Sequence, residues 1–193
     1  MSKRTSRGLR HPWLVFGSLG AAAVAAVIVV VTLALGGGDG DADRPDYPYE
    51  VQTFEDIGRD HLAQGQTYES YNSNPPTTGA HAPAPAAWGV SDAALPKEVP
   101  LHNMEHGGVV IWYNCAASSL DNDACNQLRD QLAEVTETAV DDGKLILTLP
   151  YLNMDYTIAL TAWTVMDTLE AFDGQRIAAF IASYERAFNP EGF

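Results

Sequence analysis

Between Trp13 and Leu35 the chain runs for 23 residues, WLVFGSLGAAAVAAVIVVVTLAL, without a charged side chain. A helix rises 1.5 Å per residue, so about 20 apolar residues cross the hydrocarbon core of a bilayer. The run is long enough to span, and it exceeds the roughly 7 to 15 apolar residues usual in a cleaved signal peptide. No cysteine follows it closely to carry a lipid. Lys3, Arg4, Arg7 and Arg10 precede it, whereas all 25 acidic residues lie beyond Gly38. Basic flanks stay on the cytoplasmic side. The expectation is a cytoplasmic tail over 1–12, a single-pass transmembrane helix over 13–35, and an extracytoplasmic remainder at the cell membrane. Cleavage of the same segment is the competing reading.

The charge that follows narrows the function. Setting aside the four N-terminal cations leaves seven Lys and Arg against 25 Asp and Glu, a formal charge of −18 on the exported part. Phosphate backbones are bound by clustered Lys and Arg that displace counterions. No such cluster occurs outside the tail, so nucleic acid is excluded as a partner. The stretch 36–48, GGGDGDADRPDYP, has no apolar periodicity and reads as a flexible tether. Residues 49–193 then make one globular domain, large enough to bury a core.

Inside that domain the periodicity becomes regular. Val109 to Tyr113 is a β-branched and aromatic run, a strand by composition. Asp121 can cap a helix in which Cys125, Leu128, Leu132, Val135 and Ala139 share a face until Gly143 ends it. Leu145–Leu149 and Thr157–Trp163 read as strands. Asp173 opens a last helix with Ile177, Phe180, Ile181, Tyr184 and Phe188 on one stripe. The order β-α-β-β-α predicts an α/β domain, a mixed sheet with packed helices, compatible with the later half of a thioredoxin-like core. Cys115 and Cys125, the only cysteines, flank the loop between the first strand and helix. In an oxidising compartment they can close it as a structural disulfide. Their separation lacks the Cys-x-x-Cys spacing of a redox pair.

Four of the five histidines, His61, His81, His102 and His106, fall in the exported domain. An extended 102–106 segment would point His102, Met104 and His106 to one face. A helical one would pair His102 with His106 and turn Met104 away. Imidazole is the commonest transition-metal ligand, and a thioether adds a preference for soft copper over zinc. Glu105, between the candidates, can serve as a partner to the ligands or as a general base.

Three stretches, GRDHLAQGQTYESYNSNPPTTGAHAPAPAAWGV, LHNMEHGGVVIWY and LPYLNMDYTIALTAW, together resemble the bacterial and archaeal family designated domain of unknown function 3105. The resemblance covers the chain from about Ile57 to its end. It implies that His61, His81, His102 and His106 are motif positions, together with Glu105, Gly107, Gly108, Trp88 and Trp163. Thr78 stands where serine is expected and Met104 where leucine is common. The resemblance brings no activity, so the chemistry of the residues sets the expectation. That expectation is a membrane-anchored extracytoplasmic domain binding copper, or else zinc, through His61, His81, His102, His106 and Met104. Its partner would be a metal-transfer or envelope protein. The alternatives are a metal-dependent hydrolase using Glu105 as base, and an interaction module built on the Pro-rich loop and Trp88.

Overall fold

The computed structural model describes residues 46–189. The expected tail (1–12), the membrane helix (13–35) and the tether as far as residue 45 lie outside them. Among the described residues no helix is long and apolar enough to cross a membrane.

The elements are β1 (Gln52–Thr53), β2 (Gly89–Val90), α1 (Glu98–Glu105), β3 (Val109–Tyr113), α2 (Asn122–Asp141), β4 (Ile146–Pro150), β5 (Ile158–Ala162), β6 (Val165–Leu169) and α3 (Gly174–Tyr184). The six strands form one mixed sheet in the order β1-β6-β5-β3-β4-β2. β3 runs parallel to β4 and antiparallel to β5, which pairs antiparallel with β6. The expected β-α-β-β-α order is thus present as β3, α2, β4, β5 and α3, with β6 added before the last helix. The predicted helix boundaries hold for a physical reason. The Asp121 and Asp173 side chains accept the backbone N–H groups of Ala124 and Arg176 at 2.9 and 3.0 Å, so each satisfies one orphan donor of its helix. Gly143, at φ +79°, ends α2 in the left-handed conformation that glycine adopts without strain.

Alternation along β3 divides the core in two. Val109, Ile111 and Tyr113 face Leu128 and Leu132 of α2 and Ile177, Phe180, Ile181 and Tyr184 of α3. Val110 and Trp112 face the opposite layer, where Leu101 and Met104 of α1 meet Leu149, Met154 and Trp163. Two details of the helical stripes differ from expectation. Thr136, not Val135, is the fully buried third position of α2, because its hydroxyl bonds the Leu132 carbonyl and the Thr148 hydroxyl at 2.7 and 2.6 Å. Phe188 lies beyond the end of α3 yet still stacks on Tyr184, with ring centroids 6.0 Å apart. Cys115 and Cys125 are disulfide-bonded, with Cα atoms 5.6 Å apart. The bond closes the β3–α2 loop and contributes about 2–4 kcal/mol by the usual measure of such links.

Candidate metal centre

The site grows from α1, which is helical where the sequence left two conformations open. Pro100 fits in the first turn, where a backbone N–H has no helical partner to lose. At the other end the Gly107 N–H donates to the Met104 carbonyl at 2.9 Å and the Gly108 N–H to the Asn103 carbonyl at 3.0 Å. This is a Schellman closure, with Gly107 at φ +84°. Gly108 has a second role: a Cβ there would stand 2.4 Å from the Trp88 ring, so only glycine lets the indole lie against the backbone.

Helical spacing decides which side chains share a face. Residues 102, 105 and 106 fall together, whereas 101 and 104 point to the sheet. Met104 is accordingly fully buried in the layer with Leu101 and Trp112. The soft ligand offered by an extended reading of the segment is a core side chain, and Glu105 takes its place beside the histidines.

The other two histidines come from the loops before α1. His61 and His81 form an isolated parallel bridge. The Leu62 N–H donates to the His81 carbonyl at 2.7 Å, and the His81 N–H donates to the Asp60 carbonyl at 3.0 Å. The bridge sets the imidazoles side by side, with ring centroids 4.9 Å apart. The His61 ring also stacks on that of His102, at a further 4.9 Å. His81 is fully buried, and Glu105 and His102 are 3% and 5% exposed, whereas the His61 side chain is 43% exposed and opens the group to solvent.

Among the described residues, His61, His81, His102 and Glu105 each offer one ligand atom, all within 4.8 Å of one another. Glu105 Oε2 lies 3.2 Å from His61 Nε2 and 2.9 Å from His81 Nε2. Donors around a tetrahedral ion at the usual bond length of about 2.1 Å stand about 3.4 Å apart, so this group can hold a metal ion after small shifts. His106 stands just outside it, its Nε2 2.9 Å from His102 Nε2. All four histidines of the sequence reading therefore gather in one place, with His106 at the margin.

The far nitrogens are fixed by backbone. His81 Nδ1 is 2.8 Å from the Gly79 carbonyl and His102 Nδ1 is 2.8 Å from the Ala82 carbonyl. A carbonyl only accepts, so each Nδ1 carries hydrogen, which leaves His81 Nε2 turned to Glu105 and His102 Nε2 turned to His106. Burial pushes the His102 imidazole below its ordinary pKa; the bond to the Ala82 carbonyl works against this, and the neighbouring imidazoles add to the lowering. Its neutral, ligating form therefore prevails near pH 7. Gly79 reaches its position at φ +116°, with the Tyr71 ring 3.1 Å from where a Cβ would stand.

Asn103, not singled out by sequence reasoning, clamps the Pro-rich loop. Its amide donates to the Ala86 carbonyl at 3.0 Å and accepts the Ala86 N–H at 2.9 Å. Its place inside HNMEHGG was the available signal. Every residue of that motif now has a physical part: two imidazoles, a clamp, a core side chain, a carboxylate and two glycines. Trp163 lies edge-on to His81, with ring centroids 6.1 Å apart, and donates to Asp56 at 3.1 Å.

The chain belongs to the family described as Protein of unknown function (DUF3105), whose model matches residues 61–192. The matched span begins at His61 and includes the whole histidine group. No curated protein and no solved structure matches the chain.

Proposed function

We propose that this DUF3105 chain is a metal-binding protein of the extracytoplasmic face, anchored by residues 13–35, that holds one divalent transition-metal ion through His61, His81, His102 and Glu105. The observation that carries the reading is the orientation of His81 and His102 by the Gly79 and Ala82 carbonyls. With hydrogen on Nδ1, His81 turns its Nε2 to a carboxylate oxygen 2.9 Å away. Two lone pairs at that distance repel unless a cation lies between them. A proton would relieve one such pair, whereas a metal ion satisfies all four donors together. The backbone bonds are the outer-shell contacts that fix tautomer and ring direction in metal sites.

The donor set bears on the metal. Three imidazole nitrogens and a carboxylate oxygen suit zinc and other borderline divalent ions. The case for copper over zinc rested on the Met104 thioether, which packs in the core. Zinc therefore takes precedence over Cu(I), with Cu(II) as the competing ion. Glu105 is buried and engaged by two imidazoles, which favours holding the ion over base catalysis, so retention and delivery are preferred to hydrolysis. The fold has a reading of its own: the strand order β6-β5-β3-β4, with β3 and β4 parallel and α2 between them, supports the thioredoxin-like comparison. In that frame the disulfide is a staple, its cysteines ten residues apart.

Two measurements test the proposal. The full-length chain, stripped by chelator and titrated with Zn(II) at neutral pH, is expected to bind one ion per chain; no uptake of either Zn(II) or Cu(II) would refute it. Protease added outside intact cells is expected to digest the domain. Digestion only from the cytoplasmic side would overturn the anchoring.

A further inference from the structure

We infer that His106 is the exchange port of the metal centre, the residue through which an ion passes between the buried group and a donor or acceptor outside. The inference rests on the metal-binding proposal above and adds the route. Two observations on opposite sides of one imidazole carry it.

On the inner side, His106 Nε2 is 2.9 Å from His102 Nε2. The His102 Nδ1 hydrogen is committed to the Ala82 carbonyl, so the proton between the two Nε2 atoms belongs to His106. His102 Nε2 thus faces both the inner donors and His106. Two nitrogens at that spacing can ligate one ion with only a slight opening, since donors on a tetrahedral ion are about 3.4 Å apart. An ion can therefore be held by His106 and His102 together before it is held by His102 with His61, His81 and Glu105. His102 stays bound throughout, and the ion is never released bare. On arrival of the ion the His106 Nε2 proton passes to water and water returns one to Nδ1, so the ring ligates through Nε2 as a neutral imidazole and no oxidation state changes.

On the outer side, His106 lines a cavity of about 480 Å³ with Pro85, Trp88, Leu145 and Arg186. That volume accepts a metal-bearing side chain or a small chelate. The walls are fixed to the same element that carries the ligands. Asn103 of α1 clamps Ala86 between Pro85 and Trp88, Trp88 lies on Gly108, and the Arg186 N–H bonds the Gly107 carbonyl at 2.8 Å. Arg186 holds this bond at φ +61°, a conformation uncommon outside glycine, so the wall is built against local preference. The occupant assigned to the cavity is a divalent ion carried by a small carboxylate chelate, whose negative charge suits the Arg186 lining.

The test uses the full-length chain, Zn(II) and a small carboxylate chelator. His106→Phe keeps a ring of similar size without donor atoms, and His106→Ala removes the ring. Both variants are expected to bind one ion per chain but to load and release it about tenfold more slowly or worse, because barrier effects of this kind appear in rates more than in occupancy. Trp88→Ala, which widens the cavity, is expected to exchange faster than wild type. Unchanged or faster exchange in both His106 variants would overturn the port and place the route past exposed His61. Loss of stoichiometric binding in both would make His106 a ligand of the resident ion, and also overturns it. Failure of the wild type to bind any ion removes the metal-binding proposal itself, a result distinguishable from either.

Discussion

Replacing His81 by alanine is expected to weaken Zn(II) binding by more than about a hundredfold, beyond the 10- to 100-fold typical of losing an outer-shell partner. The ring is fully buried, so no solvent-borne group can reach its place cheaply. The substitution also strands the Gly79 carbonyl and removes the 2.9 Å contact to Glu105. A buried polar group left without its partner costs about 1–3 kcal/mol, so the metal-free variant should unfold at lower denaturant than the metal-free wild type. Comparing the two in chelator separates the structural loss from the ligand loss. Wild-type affinity in His81→Ala would remove His81 from the donor set.

Asp167→Ala is expected to lower stability by about 1–3 kcal/mol, because it takes away the buried acceptor shared by the Tyr47 hydroxyl and the part-exposed Arg176 guanidinium. Asp167 is 3% exposed on β6 and accepts the Arg176 Nε–H at 2.7 Å and the Tyr47 hydroxyl on the same oxygen, Oδ2. Tyr47 in turn packs edge-on against Phe180 and Tyr184, each at 5.5 Å between centroids. One carboxylate therefore ties the start of the domain to β6 and α3. Urea unfolding of the metal-free chain reads the loss, and metal stoichiometry in the surviving folded fraction should not change. A shift under about 0.5 kcal/mol, the range of ordinary surface substitutions, would show the cluster to be solvated and weak.

The same cluster shows where composition misleads. Tyr47 falls at the end of a Gly-, Asp- and Pro-rich stretch that reads as tether, yet its ring packs against the core and its hydroxyl is bonded to β6. Nothing local announces this, since the partners are 120 and more residues away. β6 was hidden similarly: VMDTL carries an aspartate in the middle of a strand, and the groups that make it tolerable lie on other elements, Arg176 on α3 and Tyr47 at the start of the domain. Strong local signals fared better. The two Asp caps, the terminating Gly143 and the apolar stripes of α2 and α3 placed those helices closely, because capping and amphipathicity are encoded within a few turns.

The candidate metal centre was half legible. The His102 and His106 pair survives in either conformation, so the sequence located it without settling the backbone. What the backbone decides is the third member: extended spacing selects Met104, helical spacing selects Glu105, and with that choice the donor set changes from soft to borderline. The helix itself was obscured by its length of eight residues, by Pro100 in its first turn and by its two-glycine end. The carbonyls of Gly79 and Ala82 were invisible for a different reason, since backbone acceptors have no residue-type signature.

X-ray absorption of the zinc-loaded full-length chain tests the central claim most directly. The expected spectrum has a first shell of nitrogen and oxygen only, at the usual zinc distances of about 2.0–2.1 Å, with the outer-shell scattering of three imidazoles and no sulfur. A first shell containing sulfur, or oxygen scatterers without imidazole, would contradict the assignment of His61, His81, His102 and Glu105 as the ligands.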